Sequence, residues 1–262
     1  MSTEWQENNK SNAGQGQTPN PLWTKDFTII TLGSVVSMLG NSMSGFAMSL
    51  MVLDISESTM LYAIYVACFT LPQLFMPIIS GAVLDRFSRK KTIYTLDFLT
   101  AGLFAALSAV IALGKFSFWM LTFVNFSLGT ISGIYNVAYD SFYPLLIHEG
   151  NFQKAYSVAS TLETLSLVMV PLSTFIYKTI GILPLLCVNA LTFLVAAIME
   201  TQIQTQERYI ETRRQEGASA AGFRRFAADF REGMRYLSGE KGLLAIAIYF
   251  LFSSLTGGVT GV

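Results

Sequence analysis

Charged residues are scarce in this chain. Asp, Glu, Lys and Arg make up 13% of its 262 residues while 52% are hydrophobic, against about 25% charge in a soluble domain. That deficit excludes an ordinary water-exposed globule and points to lipid. The single histidine, His148, and the two widely separated cysteines, Cys68 and Cys187, supply neither metal-ligand spacing nor a disulfide framework. Paired catalytic groups of the Ser–Lys or His–Asp kind are missing inside the apolar runs, so an enzyme is not expected, nor a metal or cofactor. A cleavable leader is not expected either. The first 22 residues are rich in Asn, Gln, Gly, Ser and Thr with no apolar run, which reads as a disordered tail. Formal net charge is zero, so only the placement of charges informs, and nothing in it calls for nucleic acid.

What is present is a series of long apolar stretches. A helix crossing about 30 Å of hydrocarbon needs roughly 20 mostly apolar residues. Seven stretches qualify: Phe27 to Leu53, Met60 to Leu84, Thr92 to Leu113, Phe118 to Ala138, Ser157 to Tyr177, Ile180 to Met199 and Gly242 to Val262. Backbone in lipid must satisfy its own hydrogen bonds, so these are helices, and short polar links such as Asp54 to Thr59 and Lys178-Thr179 make neighbours antiparallel. The expected domains are a cytoplasmic tail over 1–22, a six-span bundle over 23–200, a loop over 201–241 and a seventh span over 242–262.

Basic residues fix the expected orientation, because Lys and Arg are retained on the cytoplasmic side. Fifteen of the seventeen fall on alternate links; only Lys115 and Lys178 fall on the others. The amino terminus and the long loop are therefore expected in the cytoplasm. Within that loop Phe223, Phe226, Phe230, Met234 and Leu237 recur at three- and four-residue spacing among Arg224, Arg225, Arg231 and Arg235. This pattern predicts a basic amphipathic helix along the interface.

Between spans two and three runs Gly81-Ala82-Val83-Leu84-Asp85-Arg86-Phe87-Ser88-Arg89-Lys90-Lys91. It resembles the loop signature G-x-x-x-D-R/K-x-G-R-R/K of the major facilitator superfamily at Gly81, Asp85, Arg86, Arg89 and Lys90, with Ser88 in place of the usual glycine. Tyr139 to Pro144, Lys154 to Ser157, Val188 to Phe193, Asp97 and Arg231-Glu232-Gly233 are similar to the branch of macrolide-efflux and enterobactin-exporter proteins. The resemblance implies an all-α membrane protein: the six-helix N-terminal bundle of a major-facilitator fold, a cytoplasmic interfacial helix and a seventh span. It implies a plasma-membrane secondary carrier exporting small amphipathic molecules with a proton gradient. It also implies that Gly81, Asp85, Arg86, Arg89, Lys90 and Asp140 form a cytoplasmic gating motif, in which Arg89 pairs with Asp140. One departure bears on mechanism. The antiporter signature G-P-x-x-G-G corresponds here to Val170-Pro171-Leu172-Ser173-Thr174-Phe175, which keeps only the proline.

Ionisable groups at membrane depth cost about 2.5–3.5 kcal/mol each on insertion scales, which makes them functional candidates. Asp97 and Asp140 lie near the expected cytoplasmic ends of their spans and are read first as partners of the basic cluster; Asp97 is also a candidate for proton coupling. Glu163 has no basic neighbour in its own helix. It is the leading coupling candidate, with a place in the cytoplasmic network or at a watery mouth as the alternative. Asn41, Ser44, Gln73, Asn125, Thr130, Asn136 and Tyr139 are candidates for a substrate path near the midplane; helix-to-helix hydrogen bonding is the competing explanation for most of them. Gly129 to Gly133 is a small-xxx-small pattern that predicts close helix packing. Since carriers of this superfamily have two six-span halves, the chain is expected to be a half-length form, or to need another chain for the C-terminal bundle. A non-transporting fragment is the alternative, and a membrane-embedded enzyme a more distant one. The expected partners are lipid, a small-molecule substrate, protons and that missing bundle.

Overall fold

Six helices dominate the computed structural model, which describes residues 21–84, 87–115, 117–148, 150–205 and 207, with isolated positions at 235, 239, 242, 244, 245 and 249. They are α1 (Lys25–Ser56), α2 (Thr59–Leu84), α3 (Arg89–Ala112), α4 (Phe118–Phe142), α5 (Phe152–Ile180) and α6 (Ile182–Thr201), with a 3-10 turn over Tyr143–Leu146. All six are long and apolar enough to cross a membrane. The shortest, the 20-residue α6, spans about 30 Å at 1.5 Å per residue. The chain divides into two units, Met1–Ile210 and Glu211–Val262. In the second, the isolated described positions are helical. The expected interfacial helix, apart from Arg235, and nearly all of the expected seventh span lie outside the described residues, as does the tail up to residue 20.

Local sequence sets the helix starts. Thr24, Ser88 and Ser117 are N-caps whose hydroxyls accept from the backbone N–H of Phe27, Lys91 and Met120 at 3.2, 3.1 and 3.4 Å, so one orphan donor of each first turn is satisfied. The ends differ from the sequence expectation in two places. The turn between the fifth and sixth helices is not at Lys178-Thr179: α5 runs through both residues and breaks at Gly181. Its φ of 82° is open to glycine and strained for other residues. The fourth helix continues past Ala138 to Phe142, so Tyr139 and Asp140 are helical, and Pro144 follows in the 3-10 turn.

Packing is uneven. The densest contacts join α3 with α6, α2 with α4, and α1 with α6, while α5 leans mainly on α1. Along its 29 residues α5 buries only Ala155 and Ser173. Two apolar cores lie at opposite ends of the bundle. One, around Phe104, Leu107, Leu121, Leu186 and Phe193, stacks the Phe104 and Phe193 rings at 6.0 Å. The other gathers Phe27, Ile30, Ile93, Phe142 and Tyr143 near the ends that carry Lys25, Arg89 and Lys90; we call this the basic face.

Small residues allow the closest approaches. A Cβ on Gly129 would meet the backbone of Phe69, and one on Gly133 would lie 2.7 Å from the Met76 Cβ. The small-xxx-small stretch is therefore the α2–α4 seam, where helices associate through van der Waals contact because lipid offers no hydrophobic drive between them. Gly40 serves α1 against Asn189 of α6 in the same way.

Candidate functional site

Polar side chains in apolar helices recur on one face at helical spacing, and four helices turn those faces toward a common space. From α1 come Ser34, Ser37 and Asn41; from α3, Asp97 and Thr100; from α4, Ser132, Tyr135, Asn136, Tyr139 and Asp140; from α5, Glu163. They line a cavity of about 280 Å³ whose remaining wall is apolar, including Phe69, Leu128 and Phe193. A volume near the lower end of small-ligand pockets, mostly apolar with a few convergent polar groups, suits a small amphipathic solute. A second cavity of about 310 Å³ adjoins it toward the other end of the bundle, and Asn41 borders both.

Of the residues expected along a substrate path, Asn41, Asn136 and Tyr139 line the first cavity. Gln73 stands behind its wall, where its Nε2 donates to the Ser132 hydroxyl at 3.4 Å. Asn125 borders the second cavity and ties helices together: its Nδ2 donates to the Tyr65 carbonyl at 2.8 Å. Ser44 donates to the Leu185 carbonyl at 3.4 Å, and Thr130 back to the Phe126 carbonyl of its own helix at 2.9 Å. Helix-to-helix or within-helix bonding thus accounts for Ser44, Asn125 and Thr130. Ser34, Ser37, Thr100, Ser132 and Tyr135 went unnoticed in the sequence. Their signal is the i, i+3, i+7 recurrence of hydroxyls with Asn41, Asp97 or Tyr139 on the same helical face.

The acids separate into two neighbourhoods. Asp140 and Glu163 are exposed on the cavity wall and close enough to interact electrostatically across α4 and α5. Asp97, by contrast, is 1% exposed and meets Glu200 of α6, itself 0% exposed. The expectation that Asp97 joins the basic cluster is corrected here. Asp97 lies eight residues beyond Arg89, about 12 Å along the helix, where α3 packs on α6. Glu200 went unremarked because it ends the apolar run of its helix and looks like the first residue of a loop.

The basic face holds the rest of the motif. Glu207 accepts from the Ser88 hydroxyl and from the backbone N–H of Arg89 and Lys90, the latter two at 2.8 and 3.3 Å. A carboxylate at the first turn of α3 satisfies orphan donors and complements the helix dipole. Arg89 Nη1 donates to the Ser141 carbonyl at 3.0 Å, one residue past Asp140, and Lys90 Nζ to the Ile203 carbonyl at 2.9 Å. Asp26 Oδ2 accepts from Gln204 N–H and the Thr205 hydroxyl at 3.1 and 2.5 Å. The segment leaving α6 is thereby fastened to the starts of α1 and α3. Ser88, standing where the signature has glycine, works as the N-cap of α3. Among the described residues nothing lies within 4 Å of a Cβ added at Gly81, while Asp85 and Arg86 lie outside the described residues.

Stacked tyrosines cross from cavity to basic face. Tyr135, Tyr139 and Tyr143 follow at four-residue spacing with ring centroids 5.9 and 5.3 Å apart, and Tyr143 Oη donates to the Ala155 carbonyl at 3.1 Å. This ladder stiffens the end of α4 where it meets α5.

Comparison with known proteins agrees with this architecture. Residues 17–255 match the model of a family described as transmembrane secretion effector. An uncharacterized MFS-type transporter of Bacillus subtilis, YkuC, is 25% identical over 241 residues, which are 89% of this chain and 55% of that protein. The chain thus spans about half the length of the curated relative it matches. No solved structure matches. Six apolar helices around a polar cavity, a basic loop motif at the start of α3 and a family match over most of the sequence lead to one conclusion: the chain belongs to the transmembrane secretion effector family of the major facilitator superfamily.

Proposed function

We propose that the chain forms the N-terminal half of a proton-driven secondary carrier in the plasma membrane, with its amino terminus in the cytoplasm, that exports small amphipathic molecules. The observation that bears most weight is the cavity itself. An apolar wall with hydroxyl, amide and aromatic groups takes up an amphipathic body, and Asp97, Asp140 and Glu163 at its edge favour cationic or neutral solutes over anions. Glu163, exposed at the cavity wall beside Asp140, exchanges protons during transport. The skewed distribution of Lys and Arg supports the orientation. The match to 55% of a relative supports a half-carrier completed by a C-terminal bundle.

Everted membrane vesicles from cells carrying the gene in its natural chromosomal setting provide the test. Uptake of a cationic amphipathic dye should follow the imposed pH gradient, vanish on deletion of the gene and fall at least tenfold in Glu163→Gln. Uptake indifferent to deletion rejects export of this class, and full gradient-driven uptake in Glu163→Gln rejects the coupling role. Liposomes holding the 262-residue chain alone should show no gradient-driven flux; flux there rejects the half-carrier.

A further inference from the structure

Among the described residues, Asp97 and Glu200 are an acid pair with no counter-charge beside it. Both carboxyls are buried, and they lie within hydrogen-bonding reach of each other between α3 and α6. Among the described residues Asp97 Oδ2 and both carboxyl oxygens of Glu200 receive no donor from any other side chain or from the backbone. The described residues of the neighbouring helices do not supply a cation either. From α1 Gly33 approaches, where an added Cβ would lie 3.2 Å from Glu200 Oε1, with Ser34 next to it in the chain. From α4 the facing titratable groups are Tyr135 and Tyr139, with Asp140 further toward the basic face. From α5 the titratable group on the cavity that Asp97 also lines is Glu163. Arg89 and Lys90 of α3 reach the Ser141 and Ile203 carbonyls, and Glu207 caps the start of α3.

Two carboxylates at contact distance in a low-dielectric setting repel strongly, and buried acceptors without donors are costly. A single proton resolves both problems, since one carboxylic acid then donates to the other carboxyl. We propose that Asp97 and Glu200 form a proton-binding site that closes α3 on α6, holding one shared proton and releasing it into the cavity. The step balances simply. The O–H bond of the carboxylic acid breaks, the proton passes to a water or buffer base in the cavity beside Asp97, and two carboxylates remain. Their repulsion then pushes α3 and α6 apart at the cavity's inner wall. This site goes beyond the carrier function above and does not require it, because proton occupancy can be read in the chain without any solute.

Infrared spectroscopy of the purified full chain in lipid nanodiscs, with carbon-13 on the side-chain carboxyls of aspartate or of glutamate, tests it. At neutral pH the wild-type chain should show a protonated-carboxyl C=O stretch that shifts with one label or both, and it should disappear as pH rises. In Asp97→Asn and in Glu200→Gln the remaining acid loses its like-charged neighbour, so the band should disappear at lower pH than in the wild type. The double variant should lack the band, while Asp140→Asn and Glu163→Gln should leave it and its titration in place. A wild-type spectrum with no such band at neutral pH overturns the proposal without any variant having to fold. So does a band that titrates in both single variants as it does in the wild type.

Discussion

Two pairs of acids meet under opposite conditions: Asp140 and Glu163 both line the cavity, whereas of the second pair only Asp97 reaches its wall and Glu200 does not. Asp140 and Glu163 are exposed on helices that barely pack on one another, whereas Asp97 and Glu200 are buried where α3 and α6 make the densest helix contact of the bundle. The exposed pair keeps access to water and can change charge without moving a helix. The buried pair has no such freedom, and its charge state is tied to how α3 meets α6. Depth in the membrane alone does not decide what an acid does; the packing of the helices beside it does.

The comparison breaks most completely when the helix shared by both neighbourhoods is displaced. Gly129→Val forces a branched side chain into the Phe69 backbone, and overpacking of this kind costs about 3 kcal/mol or more where backbone must shift. Loss of the folded monomer on size-exclusion chromatography is the expected outcome, and a fully stable variant would show a loose α2–α4 seam. Glu200→Ala comes next. It strips Asp97 of its buried partner and leaves a void, for about 2 kcal/mol of lost stability, to be read from thermal unfolding followed by circular dichroism. Glu207→Ala removes the carboxylate that caps α3 and should cost about 1 kcal/mol. Glu163→Ala, on the exposed pair, should change stability by no more than about 0.5 kcal/mol. The contrast between Glu200→Ala and Glu163→Ala sharpens the comparison most directly. Equal effects would mean that the two pairs do not differ in packing.

Several features of the fold were open to inspection in the chain. Apolar runs of more than 20 residues can only be helices in lipid, so the first six spans were placed correctly to within a few residues except where helices outlast their apolar part. That exception is informative. Asp140 and Ser141 continue α4 because a helix ends where its capping geometry ends, not where its lipid-facing surface does. Gly129 and Gly133 were legible as a packing surface for the same kind of local reason: without side chains, they have no other advantage in a helix. The site was legible only in part. Asn136 and Tyr139 stand out as polar groups in an apolar run, but so do Asn125 and Thr130, and whether such a group meets a cavity or a carbonyl depends on the helix opposite. Glu200 shows the limit most clearly. At the end of its run it resembles a loop residue, yet α3 and α6 cross so as to bury it against Asp97.

The sequence by itself determined that the chain spans a membrane, how many apolar helices it brings to the described bundle and which links carry the basic charge, because each follows from local composition and the cost of placing bare backbone or charge in hydrocarbon. Only the tertiary structure decided which polar faces share a cavity, which acids are exposed and which meet in a buried contact. Those outcomes depend on the angles and approaches of helices far apart in sequence, set at positions such as Gly40 and Gly129 where one helix can lie directly against another.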